Sequence, residues 1–151
     1  MLKIGDKVPD FEGIDQNGNT IKAANYKEKK LIVYFYPKAD TSGCTAEGCS
    51  LRDNYNALKT KGYEIIGVSK DPVDRQKAFH EKYSFPFPLI ADTDKKIIEA
   101  FGAWGKKKFM GKEFDGIFRY TFLIDENQII TDIITKVQTK NHGEQILKTF
   151  I

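Results

Sequence analysis

The apolar run Leu31-Ile32-Val33-Tyr34-Phe35-Tyr36, with lysines before it and Pro37 after it, predicts a strand buried on both faces over about Lys30 to Tyr36. Ahead of it, Asp10 to Ile14 and Thr20 to Lys22 read as a hairpin through Asp15-Gln16-Asn17-Gly18-Asn19, where Asn17-Gly18 is a strong turn signal. Leu51, Tyr55 and Leu58 recur at helical spacing, so a helix is expected from about Cys44 to Lys61, capped by Gly62. Tyr63 to Ser69 is a second apolar strand. Asp71-Pro72 reads as an N-cap and first-turn proline opening a helix that reaches about Tyr83. Leu89 to Ala91 is a short strand, and Thr93 or Asp94 is expected to cap a helix holding Ile97, Ile98 and Phe101. Tyr120 to Ile124 and Ile129 to Thr135 form a hairpin turning at Asp125-Glu126-Asn127-Gln128, and His142 to Phe150 closes the chain as a helix. Strands alternating with helices, followed by a hairpin and a helix, predict an α/β sandwich: a mixed central β-sheet flanked by helices, with an N-terminal β-hairpin. No repeat, linker or low-complexity stretch interrupts the pattern, so residues 1–151 are read as one domain.

A chain of 151 residues can bury a core of useful size, and its apolar and charged fractions are those of a soluble globular protein. No apolar stretch approaches the roughly 20 residues needed to span a bilayer, and no membrane association is expected. Met1-Leu2-Lys3-Ile4-Gly5-Asp6 lacks the apolar core of a signal peptide, so a cytoplasmic location is expected. There a standing disulfide is uncommon and a transient catalytic one is the exception. The net charge of +3 is too small to argue for nucleic acid, and Lys106-Lys107-Lys108 is read as a solvated loop.

Both cysteines lie in Tyr36-Pro37-Lys38-Ala39-Asp40-Thr41-Ser42-Gly43-Cys44-Thr45-Ala46-Glu47-Gly48-Cys49, between the apolar strand and the helical pattern. Cys44 is therefore expected where a buried strand hands over to a helix N-terminus, whose free N–H groups and dipole favour a thiolate. The thiolate is the nucleophile, and an ordinary free cysteine, with a pKa of about 8.5, is ionised to only a few per cent at neutral pH. Thr41 precedes Cys44 by one turn, so its hydroxyl can donate to the sulfur or to a bound oxygen. Pro37 offers no N–H, ends the strand and can shield the sulfur from water. The plain alternative is a pair of small buried hydrophobes. Zinc is not expected, because the cysteine spacing and the distant His80 and His142 do not match finger patterns. Both histidines fall in charged helical segments and are assigned solvated roles. Glu47 can orient Arg119 or Arg52, or can simply be an acidic residue favoured in a helix's first turn.

Pro37-x-x-x-Thr41-x-x-Cys44 resembles the peroxiredoxin signature, and Asp40 to Cys49 is similar to the subgroup called bacterioferritin comigratory protein or peroxiredoxin Q. The similarity runs from Gly5-Asp6-Lys7-Val8-Pro9-Asp10-Phe11 through Gly67-Val68-Ser69 and Phe87-Pro88-Leu89 to Gly116-Ile117-Phe118-Arg119-Tyr120-Thr121-Phe122-Leu123-Ile124-Asp125. It implies a thioredoxin-like fold and reduction of hydrogen peroxide and alkyl hydroperoxides at Cys44, with no cofactor. Cys49 matches the resolving cysteine and Arg119 the arginine that completes the site. The implied cycle is attack on the O–O bond, a sulfenic acid on Cys44, an intramolecular disulfide with Cys49, and reduction by thioredoxin or a similar dithiol. A monomer is the expected state. The subgroup usually has Pro where this chain has Ser42, which leaves the loop before Cys44 less constrained.

Two other classes stay open at this level. A thioredoxin-like disulfide oxidoreductase would normally use Cys-x-x-Cys, and a redox sensor would be oxidised stoichiometrically without turnover. If both cysteines are helical when reduced, their Cα atoms stand about 8.6 Å apart, beyond the roughly 4.4 to 6.8 Å a disulfide tolerates. Disulfide formation then requires the helix to unwind. Gly43 and Gly48 are expected to ease this, and Gly48→Ala to stabilise the reduced helix and slow the step.

Overall fold

The computed structural model describes residues 2–151. The predicted strand is the hub of the fold: β3 (Lys30–Phe35) lies at the centre of a five-stranded sheet, and its odd and even residues enter two different cores. Leu31, Val33 and Phe35 pack with Val68, Ile98, Phe101 and Phe122 on one face. Ile32, Tyr34 and Tyr36 pack with Leu51, Leu58, Phe79, Phe87 and Ile146 on the other. Burial on both sides explains why this segment reads as one continuous apolar run.

The remaining elements, in chain order, are β1 (Glu12–Ile14), β2 (Thr20–Lys22), α1 (Ser42–Asp53), α2 (Tyr55–Thr60), β4 (Tyr63–Ser69), α3 (Val73–Tyr83), β5 (Leu89–Ala91), α4 (Lys96–Ala100), β6 (Trp104–Phe109), β7 (Lys112–Ile117), β8 (Thr121–Ile124), β9 (Ile130–Ile134) and α5 (His142–Thr149). The central sheet runs β5-β4-β3-β8-β9, with β3 parallel to β4 and antiparallel to β8. The mixed sheet, the flanking helices and the N-terminal hairpin are those expected from the pattern. Among the described residues no helix is long and apolar enough to cross a membrane.

Four local readings change. The single helix expected from Cys44 to Lys61 begins at Ser42 and breaks at Asn54, whose backbone leaves the helical region at φ −102°, ψ 8°. The Asn54 amide donates to the Ser50 carbonyl at 2.8 Å and to Glu144 Oε1 at 2.9 Å, so packing against α5 fixes the break. Asp71 is not a cap: Pro72 holds the N-cap position of α3 with no side-chain bond. The Asp71 carboxylate instead accepts from the Ala39 N–H at 2.8 Å and the Ser69 hydroxyl at 2.7 Å, tying the loop before Cys44 to the end of β4. The N-cap position of α4 falls on Lys95, in the left-handed region and without a side-chain bond, rather than on Thr93 or Asp94; Asp94 accepts from the Lys96 N–H at 3.4 Å and Asp92 from the Ile98 N–H at 2.8 Å. Lys106-Lys107-Lys108 is strand, in a β6–β7 hairpin that turns at Met110-Gly111 with φ of 51° and 78°. Exposed on most of its surface, this ribbon carries no apolar alternation that sequence reading could detect.

Candidate active site

β3 ends against Pro37, and the loop that follows delivers Cys44 to the first turn of α1, where it is 1% exposed. Thr41 is the N-cap residue, and its carbonyl accepts the Thr45 N–H at 2.8 Å. Cys44 is thus the third residue of the helix, within the turn whose N–H groups have no intrahelical acceptor. Ser42 is the first helical residue and exposed, a position at which proline is also well tolerated. Asp40, at φ 58°, accepts from Lys82 at 2.9 Å and Tyr83 at 2.9 Å, so this loop is also pinned to the end of α3.

Strand register brings in the arginine. β3 pairs with β8 so that Tyr34 faces Thr121, and the Phe35 N–H donates to the Tyr120 carbonyl at 2.9 Å. Continuing that register sets Arg119 opposite Tyr36, beside the strand end that leads to Cys44. The guanidinium points Nη1 and Nη2 at Cys44 Sγ, each at 3.5 Å, and Nη1 also donates to Glu47 Oε1 at 2.9 Å. Gly43 leaves the space: a Cβ there would lie 3.3 Å from Arg119 Nη2. Burial would lower the Arg119 pKa, but the facing Cys44 and Glu47 outweigh it and hold the group above its ordinary value. Of the two partners open for Glu47, the contact is with Arg119; Arg52 instead donates to the Tyr83 carbonyl at 2.8 Å and to Asp53.

The other expected site residues fall around this centre. Pro37 is partly buried at the strand end. The Thr41 hydroxyl donates to the Lys38 carbonyl at 2.8 Å rather than to the sulfur, so it braces the loop in this state. Cys49 is half-buried on the same helix, and both thiols are free. Burial pushes the Cys49 thiol up, with Arg52 opposing, so near neutral pH it stays protonated. Among the described residues no cluster of His, Cys, Asp and Glu is placed to hold a metal.

His142 corrects the sequence reading. It is fully buried at the start of α5, not solvated: Nε2 meets the Thr121 hydroxyl at 2.9 Å, Nδ1 meets Gln145 Oε1 at 2.8 Å, and Glu47 Oε2 lies 3.6 Å from Nε2. The neighbouring Gly143 lets α5 approach α1 this closely: a Cβ there would lie 2.8 Å from the Ser50 carbonyl oxygen.

Comparison with known proteins decides what this geometry belongs to. Residues 4–133 match the model of the AhpC/TSA family. The chain belongs to that family. It is 42% identical over 146 residues to Escherichia coli peroxiredoxin Bcp, covering 97% of this chain and 94% of that one. Bacillus subtilis peroxiredoxin Bcp is also 42% identical, over 148 residues, with 98% and 94% covered. The structure of the Xanthomonas campestris bacterioferritin comigratory protein, studied for alkyl peroxide reduction, superposes with a TM-score of 0.88 at 30% identity, over 98% of this chain and 94% of that one. This peroxiredoxin is thus a thiol-dependent peroxidase with the thioredoxin-like fold implied by its motifs.

Two buried groups give the enzyme a pH signature. Burial pushes Glu47 from its ordinary 4.5 to about 7, against Arg119, and pushes His142 from 6.5 down to about 4. The stability Glu47 contributes is complete below 4.5 and lost as pH rises through about 7; that of His142 is complete above 6.5 and lost as pH falls through about 4. Between about pH 4.5 and 6.5 the two slopes oppose each other. Relative to wild type, Glu47→Gln is expected to add a slope that rises with pH and His142→Gln one that falls. Each approaches one proton, about 1.4 kcal/mol per pH unit. Urea unfolding across this range checks it, and variant curves parallel to wild type would contradict it.

Proposed function

We propose that this peroxiredoxin reduces hydrogen peroxide and alkyl hydroperoxides at Cys44, that Cys49 resolves the sulfenic acid as an intramolecular disulfide, and that thioredoxin or a similar dithiol restores the pair. The observation that carries this reading is the forked guanidinium of Arg119, with two N–H groups 3.5 Å from Cys44 Sγ. In the reaction negative charge sits first on sulfur and then on the departing oxygen, and a permanently charged donor fork stabilises both. Cys49 has no such partner, and its raised pKa keeps it from competing as nucleophile. Thr41 and Pro37 would serve the attack by shaping the loop, and the Thr41 hydroxyl can turn toward a bound peroxide oxygen by leaving Lys38.

Steady-state peroxide consumption with a thioredoxin reducing system separates this reading from its rivals: turnover supports it, and oxidation of one equivalent that then stops would indicate a sensor. Cys44→Ser is expected to abolish activity, whereas Cys49→Ser should still consume about one equivalent of peroxide rapidly and accumulate sulfenic acid on Cys44. A Cys49→Ser protein that fails to react while Cys44→Ser does would reverse the assignment.

Both cysteines lie within α1, so by ideal helix geometry their Cα atoms are about 8.6 Å apart and the disulfide requires local unwinding. The earlier expectation for Gly48→Ala changes sign. A Cβ on Gly48 would lie 2.7 Å from Phe85 Cζ. That ring is boxed in by Phe79, with centroids 4.9 Å apart, and by Phe87 at 5.4 Å. Displacing a packed ring costs about 1–3 kcal/mol, more than the roughly 1 kcal/mol of helix propensity gained. Gly48→Ala is therefore expected to lower the melting temperature of the reduced protein and to speed disulfide formation. Amide exchange should lose protection over the first turns of α1 only after oxidation. Equal protection in both states, with the disulfide confirmed by mass spectrometry, would contradict unwinding.

A further inference from the structure

Behind the guanidinium lies a buried carboxyl that attack on peroxide does not itself require. Glu47 is 0% exposed; its Oε1 is taken by Arg119, while its Oε2 makes no hydrogen bond and stands 3.6 Å from His142 Nε2. The protonation of that ring follows from its neighbours. Gln145 Oε1 accepts the Gln138 N–H at 3.0 Å while its Nε2 donates to the Lys136 carbonyl at 3.0 Å, which fixes the amide's orientation. An acceptor oxygen 2.8 Å from Nδ1 requires the proton to be on Nδ1. Nε2 is then an acceptor, and the Thr121 hydroxyl donates to it at 2.9 Å. An ionised Oε2 would set a bare anionic oxygen, away from water, against a nitrogen lone pair. A proton on Glu47 removes that repulsion.

The groups that face Glu47 come from every element packed around it: Arg119 ahead of β8, His142 on α5, Tyr34 on β3, and Cys44 on its own helix. His142 is neutral near pH 7 because burial depresses it, and the buried Tyr34 hydroxyl is held in its neutral form. Arg119 is thus the fixed charge that Glu47 meets, and Arg119 also serves the sulfur. Burial raises the carboxyl to about 7, in accord with a proton held there near neutral pH.

We propose that Glu47 holds a proton while Cys44 is a thiolate and releases it when Cys44 is oxidised, so that the negative charge beside Arg119 passes from sulfur to carboxylate. The step rests on Cys44 being the oxidised residue. The S–O bond forms and the O–O bond breaks, sulfur losing two electrons and the peroxide gaining them. The leaving alkoxide or hydroxide needs one proton, and Glu47 releases one to solvent. Thiolate, hydroperoxide and carboxylic acid become sulfenic acid, alcohol or water, and carboxylate, with the net charge unchanged. Arg119 keeps one anionic partner throughout, which avoids leaving a half-buried guanidinium without a counter-charge.

The test uses reduced Cys49→Ser protein in weak buffer at about pH 6, below the value of about 7 for Glu47. It is mixed with one equivalent of hydrogen peroxide, with a pH indicator reading protons and mass spectrometry counting sulfenic acid on Cys44. No net proton uptake per sulfenic acid is expected, rising to one proton when Glu47→Gln is added. One proton in both proteins, or none in both, overturns the proposal. Should Glu47→Gln fail to fold, infrared difference spectra of the Cys49→Ser protein decide: the C=O band of a protonated carboxyl should vanish on oxidation, and its persistence overturns the proposal. Absence of sulfenic acid on Cys44 would instead remove Cys44 as the residue that attacks peroxide, and the charge exchange with it.

Discussion

A single guanidinium, bonded on one side to a sulfur and on the other to a buried carboxyl, is the interaction on which the rest of this enzyme depends. Arg119 retains 24% of its side-chain exposure while Glu47 has none, so the pair lies at the edge of the core rather than on the surface. Removing Arg119 would leave both the Cys44 sulfur and the buried Glu47 without the donor they share. Several features converge to make the arrangement possible. The β3–β8 register sets Arg119 beside the strand end, the bare Cα of Gly43 admits the guanidinium, and α1 presents Cys44 and Glu47 one turn apart on the same side.

The helix that carries the sulfur is held at both ends, by the bonded loop and Arg119 at its start and by α5 at its finish. At its C-terminal half the Ser50 hydroxyl accepts the Gly143 N–H at 3.0 Å and donates to Glu144 at 3.2 Å, while Asn54 bonds the same glutamate, so α5 clasps the end of α1. Beneath the first turns lie two buried polar atoms without partners, the Tyr34 hydroxyl and Glu47 Oε2.

Much of this was legible in the sequence, and the exceptions have physical causes. β3 and β4 declare themselves because burial on both faces forces continuous apolar runs. β6 and β7 do not, since a ribbon paired only with itself and facing water has no apolar periodicity to read. Asp71 has the residue type and position of a cap, yet a tertiary donor, the Ala39 N–H, claims its carboxylate; at α4 the N3 amide of Ile98 is taken by Asp92, upstream of the expected Thr93 or Asp94. Cys44, Cys49, Thr41 and Pro37 stand together in one motif, whereas Arg119 is 75 residues away from Cys44 and was reached only through family resemblance. His142 escaped because a polar helical context normally means solvent, and only the packing of α5 onto α1 reveals otherwise.

In the proposed function a planar fork, not merely a positive charge, activates Cys44. Stopped-flow oxidation of Cys44 in the Cys49→Ser background, with Arg119→Lys set beside Arg119→Met, tests it most directly. Both variants are expected to react about two to three orders of magnitude more slowly than the parent, because a lysine ammonium cannot serve the sulfur and Glu47 with the same rigid geometry. A near-normal rate in Arg119→Lys would contradict the account.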